Sequence, residues 1–290
     1  MPPITPTTLP ADATLDLHTH TRASDGRWTP GALVDRAAAL GLRVLAVADH
    51  DAIDSVEPVA ALAAPRGIAV IPAVEVTTRW DGRQWHLLVY AADLDHTPFR
   101  ALVDEQRRRH VEAAERAIAA LQARGVAVPS LHETIGGRPP LPIYVMNALI
   151  RDGFAETHLA ANAFVAERLG VPFYIDVPLR EAVEAAHASG GQAVLAHPGR
   201  HEPEPLSGER LARLLAEAPL DGLEAYYPTH TPEQVALYAD LAGRHGLLVS
   251  SGSDSHGPGW PRDPIPYPAA RVAPLLERCG LRVAGAGSGA

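Results

Sequence analysis

Residues 14–25 read TLDLHTHTRASD, and the way this run can be satisfied decides the fold. Thr14 to Leu17 has the short β-branched and apolar pattern of a strand, which breaks at once into Asp16-Leu17-His18-Thr19-His20. Alternate side chains of an extended chain share a face, so His18 and His20 point the same way, within reach of one cation. Asp25 follows in the next loop. A pair of polar residues at a strand exit can produce the same spelling, so the weight falls on whether the break recurs.

It does recur. Arg43 to Ala48 is apolar and gives way to Asp49-His50-Asp51; Ala69 to Val76 carries Glu75 near its end; Gln192 to Ala196 is followed by His197-Pro198-Gly199; Leu247 to Ser250 leads into Asp254-Ser255-His256. Trp85 to Tyr90 is a further strand with His86 near its start, and Gly222 to Tyr226 another with Glu224 inside it. Between these runs lie Ala-, Leu-, Arg- and Glu-rich stretches of helical period. Thr29-Pro30 opens one that ends near Gly41, another covers Leu179 to Ala188, and the longest runs from about Pro98 to Arg124. Strands alternating with helices predict a mainly parallel sheet or barrel, and active sites of β/α barrels are built at the carboxyl ends of the strands.

Residues 125–177 interrupt the alternation with turn-rich pieces around two short helical patterns. The expected organisation is therefore a barrel over 1–124 and 178–283, a small helical insertion over 125–177, and a flexible tail over 284–290. The opening MPPITPTTLPADAT has neither the basic start nor the apolar segment of a signal peptide, and no apolar run reaches membrane-spanning length, so a cytoplasmic chain is expected.

Composition narrows the chemistry. A single cysteine, Cys279, excludes a disulfide framework and a Cys-rich zinc site, leaving His, Asp and Glu as ligands, and the chain has 14 histidines. The net charge of −9 and the 5% aromatic content argue against a surface that grips extended nucleic acid, and leave a small anionic substrate. Imidazole and carboxylate without thiolate suit Mn²⁺, Zn²⁺ or Fe²⁺. Ser24, Ser253 and Ser255 have no triad partners, so the nucleophile is expected to be an activated water or hydroxide and no side chain. Asp49 is expected to orient a ligand imidazole, and His230 to act as a proton donor or as a supporting residue beside Glu224. Arg22, Arg138 and Arg200 are the candidates for phosphate oxygens, because the planar guanidinium binds them bidentately. Arg107-Arg108-Arg109, flanked by Glu105 and Glu112, reads as a solvated face.

The motifs DLHTHTRASDG, ADHD, the VE of the third strand, AHPG and GSDSH, spread from Asp16 to His256, resemble the successive motifs of the polymerase and histidinol phosphatase (PHP) superfamily of metal-dependent phosphoesterases. The spacing of Asp25, the Gly137-Arg138-Pro139 segment and the SGSD-x-H ending resemble the branch holding nucleoside 3′,5′-bisphosphate phosphatases and 5′-3′ exoribonucleases. The resemblance implies a distorted (β/α)7 TIM-like barrel with a small helical insertion domain and a site for two or three divalent metal ions. It implies His18, His20, Glu75 and Asp254 around one ion, Glu75, His86 and His197 around a second, and Asp25, His50 and His256 around a third.

Two positions depart from the family pattern. Ala48 precedes Asp49-His50 where threonine is usual, and Pro140 follows Gly137-Arg138-Pro139 where the family has histidine. The implied reaction is hydrolysis of a phosphate monoester on a small metabolite, first of all the 3′-phosphate of a nucleoside 3′,5′-bisphosphate. The alternatives are 5′-3′ exonuclease action on short RNA, a histidinol-phosphatase-like activity, an amidohydrolase-like reaction, and a metal-binding accessory module without turnover. The last predicts missing ligands, whereas every ligand position is filled, and no lysine near a strand end supports the amidohydrolase. No stable nucleic-acid or membrane partner is expected.

Overall fold

A computed structural model describes residues 7–173, 177–200, 205–259 and 261–285. Residues 1–6 of the lead-in, 174–176 of the insertion and 286–290 of the tail lie outside the described residues. The chain falls into two compact units, residues 1–102 with 177–290, and residues 103–176. Most of the long helix thus goes with the second unit, and the boundary expected at 124/125 falls at 102/103.

The first unit is a barrel-like sheet. Its strands are β1 (Thr7–Leu9), β2 (Thr14–Thr19), β3 (Leu42–Val47), β4 (Ala69–Trp80), β5 (Arg83–Tyr90), β6 (Val177–Pro178), β7 (Gln192–Leu195), β8 (Gly222–Tyr226), β9 (Leu248–Ser251), β10 (Tyr267–Pro268) and β11 (Leu281–Val283). The main sheet runs β10-β2-β3-β4-β5-β7-β8-β9 with β6 on β4. The segment after β9 returns to β2: His20 N donates to Ser255 O at 2.9 Å, and Asp254 N to His18 O at 2.8 Å. That contact brings the first and last ligand-bearing segments side by side.

β2, β3 and β4 are parallel neighbours, as are β7, β8 and β9, but β5 is antiparallel to both β4 and β7. The sequence reading had expected β4 to stop near Val76. Instead it continues to Trp80 and turns through Asp81-Gly82, both at positive φ (54° and 72°), the backbone that a two-residue hairpin requires. Glu75 is therefore mid-strand, and the amino end of the reversed β5 comes to the carboxyl end of its parallel neighbours. His86 reaches the site for that reason.

β2 carries an irregularity that re-aims its side chains. Its register with β3 slips between Asp16 and Thr19. Before the slip Leu15 and Leu17 pack with Val44, Ala46, Ile71, Ala73, Leu88, Tyr90, Val194 and Ala196 in the barrel core. After it, His18 and His20 turn towards Glu75. An extra residue in one strand inverts the alternation beyond it, which strict period-2 reading misses. The other end of the core is closed by Leu9, the β1–β11 pair and α10 (Ala273–Arg278).

Helices α1 (Pro30–Ala39) and α2 (Val56–Ala63) cover the outside of β3 and β4 through Leu33, Val34, Ala37 and Val59, and Thr29 caps α1 by accepting from Ala32 N. Further helices of the barrel unit are α7 (Leu179–Ala188), α8 (Gly208–Glu217) and α9 (Pro232–His245). The helix α3 (Thr97–Ala123) supplies most of its length to the second unit, with α4 (Leu131–Ile135), α5 (Pro142–Arg151) and α6 (His158–Ala163). Ala114, Ala117, Leu121, Val145, Leu149, Ala161 and Val165 form that unit's own core. Among the described residues no helix is long and apolar enough to cross a membrane.

Candidate metal centre

Glu75 is the centre of the site. Its Oε1 lies 3.0 Å from His86 Nδ1 and 3.1 Å from His197 Nε2, and its Oε2 lies 3.1 Å from His18 Nε2, 3.2 Å from His20 Nε2 and 3.3 Å from His50 Nδ1. Five imidazoles thus converge on one buried carboxylate. On the other side Asp254 Oδ1 lies 3.1 Å from His20 Nε2 and 3.6 Å from His18 Nε2, while Asp25 Oδ2 lies 3.2 Å from His256 Nε2.

Three overlapping ligand groups emerge among the described residues: His18, His20, Glu75 and Asp254; His50, Glu75 and His86; and His20, Asp25, His50 and His256. Within each, one donor atom per residue lies within 4.8 Å of all the others. His197 belongs to none of the three groups but shares Glu75 Oε1 with His86. All nine residues singled out from the sequence come together.

His20 Nε2, His50 Nδ1 and His86 Nδ1 are buried and make no properly aligned hydrogen bond despite lying 3.0 to 3.3 Å from carboxylate oxygens. Buried polar atoms ordinarily find partners. Donor atoms that crowd together without pointing at one another fit a set of shared divalent cations, and the all-N,O donor set suits Mn²⁺, Zn²⁺ or Fe²⁺.

Residues 16–125 match the PHP domain family. A 3′,5′-nucleoside bisphosphate phosphatase of Chromobacterium violaceum is 33% identical over 261 residues, covering 85% of this chain and 88% of the relative. The chain belongs to the PHP-domain phosphoesterases. A 5′-3′ exoribonuclease of Escherichia coli is 32% identical over 254 residues, with 84% and 85% coverage. A Bifidobacterium adolescentis structure, with a proposed assignment as a metal-dependent phosphoesterase, superposes with a TM-score of 0.74 at 28% identity, over 91% of this chain and 96% of that one. The barrel is thus a distorted PHP barrel, and the protein is a phosphoric ester hydrolase that binds divalent metal.

Local structure explains how the PHP ligands are aimed. His197 and Asp254 both sit at positive φ, 29° and 55°, a conformation that costs a non-glycine residue energy and that surrounding bonds must enforce. Glu224 Oε2 holds His197 N at 2.8 Å, and His18 O holds Asp254 N at 2.8 Å. Asp254 Oδ2 accepts from Tyr227 OH at 2.8 Å and from Arg200 Nη1 at 2.9 Å, leaving Oδ1 turned to the histidines. Trp28 Nε1 donates to Ser255 Oγ at 2.9 Å, tying the loop that carries Asp25 to the loop that carries His256.

Several expectations are corrected by this geometry. Asp49 touches no imidazole: it accepts from Thr21 N, Thr21 Oγ1 and Ser24 Oγ at 2.6 to 2.7 Å and from Ser55 Oγ, and so pins the Asp25 loop to the end of β3. His230 has both ring nitrogens engaged with main chain, the arrangement of the supporting residue that was one of its two expected roles. Its Nδ1–H is committed to Ala225 O at 2.9 Å, its Nε2 accepts from Gly199 N at 3.0 Å, and burial holds its pKa below the usual value. With Gln234, whose side chain completes the capping box of α9 and reaches Gly199 O, it fixes the loop after His197. Arg200 is at the site, anchored on Asp254 and Tyr227. Arg22 is exposed in the first loop. Arg138 belongs to the second unit, where its guanidinium stacks on Tyr144 and donates to Thr134 and Ile135 carbonyls. Arg108 pairs with Glu105 and Glu112 on a solvated face, as read from the sequence.

Sequence reasoning missed Tyr227 and the buried Asp16, which accepts from Ser253 N and Ile265 N and is pushed up to about 6 by burial against those hydrogen bonds. Nothing local marks Tyr227. Asp16 carries a signal, a carboxylate inside an apolar strand.

Metal uptake should be coupled to protons. Burial alone would lower His20, but the Asp254 and Glu75 carboxylates beside it overcome that and push it up to about 10, and His18 is likewise held well above its ordinary value. Burial, reinforced by His86 and His20 against Glu75 and Asp25, drives His50 down to about 3. At pH 7 the metal-free site therefore holds a proton on His20 that a cation must displace. Calorimetric titration of Mn²⁺ into stripped protein at pH 7, in buffers of differing ionisation enthalpy, should show net proton release, and affinity should fall as the pH is lowered. Uptake with no buffer dependence would contradict this.

Proposed function

We propose that the protein removes a phosphate monoester from a small metabolite, first of all the 3′-phosphate of a nucleoside 3′,5′-bisphosphate, using three divalent ions held by the three ligand groups around Glu75. The observation that carries the reading is the overlap of those groups: Glu75, His20 and His50 are each shared by two of them. Ions so clustered present concentrated positive charge to one compact anion. The substrate is favoured by the named activity of the C. violaceum relative, which matches most of the chain.

The bound ions would lower the pKa of water and neutralise phosphate oxygens. What the protein's own residues do is position. His18, His20, Glu75 and Asp254 would hold one ion, Glu75, His50 and His86 a second with His197 beside them on Glu75, and His20, Asp25, His50 and His256 a third. Arg200, with one guanidinium nitrogen on Asp254, would offer its remaining N–H groups to a phosphate oxygen, and Arg22 would extend that positive rim. Ser24 Oγ donates to Asp49 and Ser255 Oγ to the Arg262 carbonyl, which favours direct in-line attack by water over a serine nucleophile.

A second reading, stepwise 5′-3′ removal of nucleotides from short RNA, is favoured by the near-equal identity of the E. coli exoribonuclease. The same ligands would serve it. Metal-stripped protein reconstituted with Mn²⁺ should release phosphate from adenosine 3′,5′-bisphosphate in preference to nucleoside monophosphates, histidinol phosphate and 5′-phosphorylated RNA oligomers. Faster conversion of the RNA to mononucleotides would transfer the assignment to the exonuclease. Metal-loaded protein inert on the whole panel would defeat both.

A further inference from the structure

Glu224 is a carboxylate with no solvent exposure inside β8, where an apolar residue would be expected to pack. Burying a charge there is costly unless each oxygen is satisfied. Both are: Oε1 lies 2.9 Å from His18 Nδ1, and Oε2 accepts from the backbone N–H of His197 at 2.8 Å. One side chain thus touches two residues of the proposed centre, His18 in β2 and His197 just beyond β7. It does so without being a member of any group itself.

We propose that Glu224 is the positioning residue that sets the tautomer of His18 and holds the strained backbone of His197, so that a single buried carboxylate orders ligands for two ions at once. The inference rests on the proposed metal centre and not on the substrate assigned to it.

The chemistry follows from what each atom can do. His18 lies between two carboxylates, Glu224 at Nδ1 and Glu75 at Nε2, the latter 3.1 Å away. A neutral imidazole carries one proton. Placed on Nε2, that proton would bond Glu75 and remove the nitrogen from the donor set. Placed on Nδ1, it leaves the Nε2 lone pair facing Glu75 and Asp254. Glu224 accepts only, so it favours the second state and raises the basicity of the coordinating nitrogen. Its other oxygen acts on main chain. His197 sits at φ 29°, and the bond from its N–H to Glu224 is one of the contacts that keep it there. The packing is close: a Cβ at Gly252 would lie 2.9 Å from Glu224 Oε1, leaving little room for the carboxylate to rotate away.

Glu224→Gln separates positioning from space-filling, because glutamine has the same shape but one acceptor in place of two. If its oxygen serves His197 N–H, its NH2 faces His18 Nδ1 and forces the proton onto Nε2. If its oxygen serves His18, its NH2 opposes the His197 N–H. A residue that merely filled space would be replaced without loss. The variant should keep the wild-type circular dichroism spectrum, bind Co²⁺ about 10- to 100-fold more weakly, and show an altered Co²⁺ d–d absorption spectrum. Co²⁺ affinity and spectrum equal to wild type would overturn the proposal. Should the variant not fold, ¹⁵N–¹H spectra of the Zn²⁺-loaded wild-type protein decide: the His18 proton is expected on Nδ1, and a proton on Nε2 overturns the assignment. Neither readout needs turnover, so failure on every phosphorylated substrate would count against the proposed function and leave this inference standing.

Discussion

Glu75→Gln should abolish turnover while leaving the barrel folded. The backbone of residue 75 is held independently of its side chain, with Glu75 N donating to Asp49 O at 3.2 Å and Asp51 N to Glu75 O at 3.0 Å. The side chain serves two of the three ligand groups, and its two oxygens divide His86 and His197 from His18, His20 and His50. Glutamine keeps the shape but loses the charge and one acceptor, leaving five imidazoles without the anion that gathers them. The rate should fall by at least about three orders of magnitude, the scale of losing a preorganised electrostatic contributor, and metal content per chain should drop with it. Elemental analysis and kcat on the same preparation test this, with the exposed Glu105→Gln as the unaffected control. Full metal content and an undiminished rate would remove Glu75 from the centre of the mechanism.

The second large effect should come from Gly252→Ala. A Cβ at 252 would lie 2.1 Å from His18 Cβ and 2.8 Å from His18 N, distances that cannot be relieved without moving β2 or the loop after β9. Overpacking of this kind costs about 1–3 kcal/mol, so a fall in Tm of roughly 2–7 °C is expected, together with weakened metal binding because the displaced residue is a proposed ligand. Gly243→Ala provides the contrast. Gly243 lies in α9 with nothing within 4 Å of a built Cβ, and helix propensity there favours alanine by about 0.5–1 kcal/mol. Equal melting temperatures for the two variants would show that the contact at 252 is relaxed in solution.

Much of the site was written in the local sequence. Apolar runs that break into His, Asp or Glu name the candidate ligands, because a side chain with no reason to interrupt a buried strand must have a partner, and all nine of the candidates converge. The capped start of α1 at Thr29-Pro30 and the span Leu179–Ala188 of α7 were equally legible, since caps and helical period depend on residues a turn apart. The hairpin was legible and overlooked: Asp81-Gly82 between Trp80 and Arg83 is a strong two-residue turn signal.

The sequence by itself thus determined the ligand-bearing strands, the donor types and the family. Single-residue spacing, alternation and composition act over a few bonds, and a lone cysteine leaves only N and O ligands. Tertiary structure alone decided the slip in β2 that turns His18 and His20 towards Glu75 while Leu15 and Leu17 face the apolar core. It also decided the partners of Asp49, of His230 and of Glu224, which meets His18 across 206 positions of chain. A buried polar group is satisfied by whatever the closed barrel brings within 3 Å, and that depends on strand direction and register across the whole sheet.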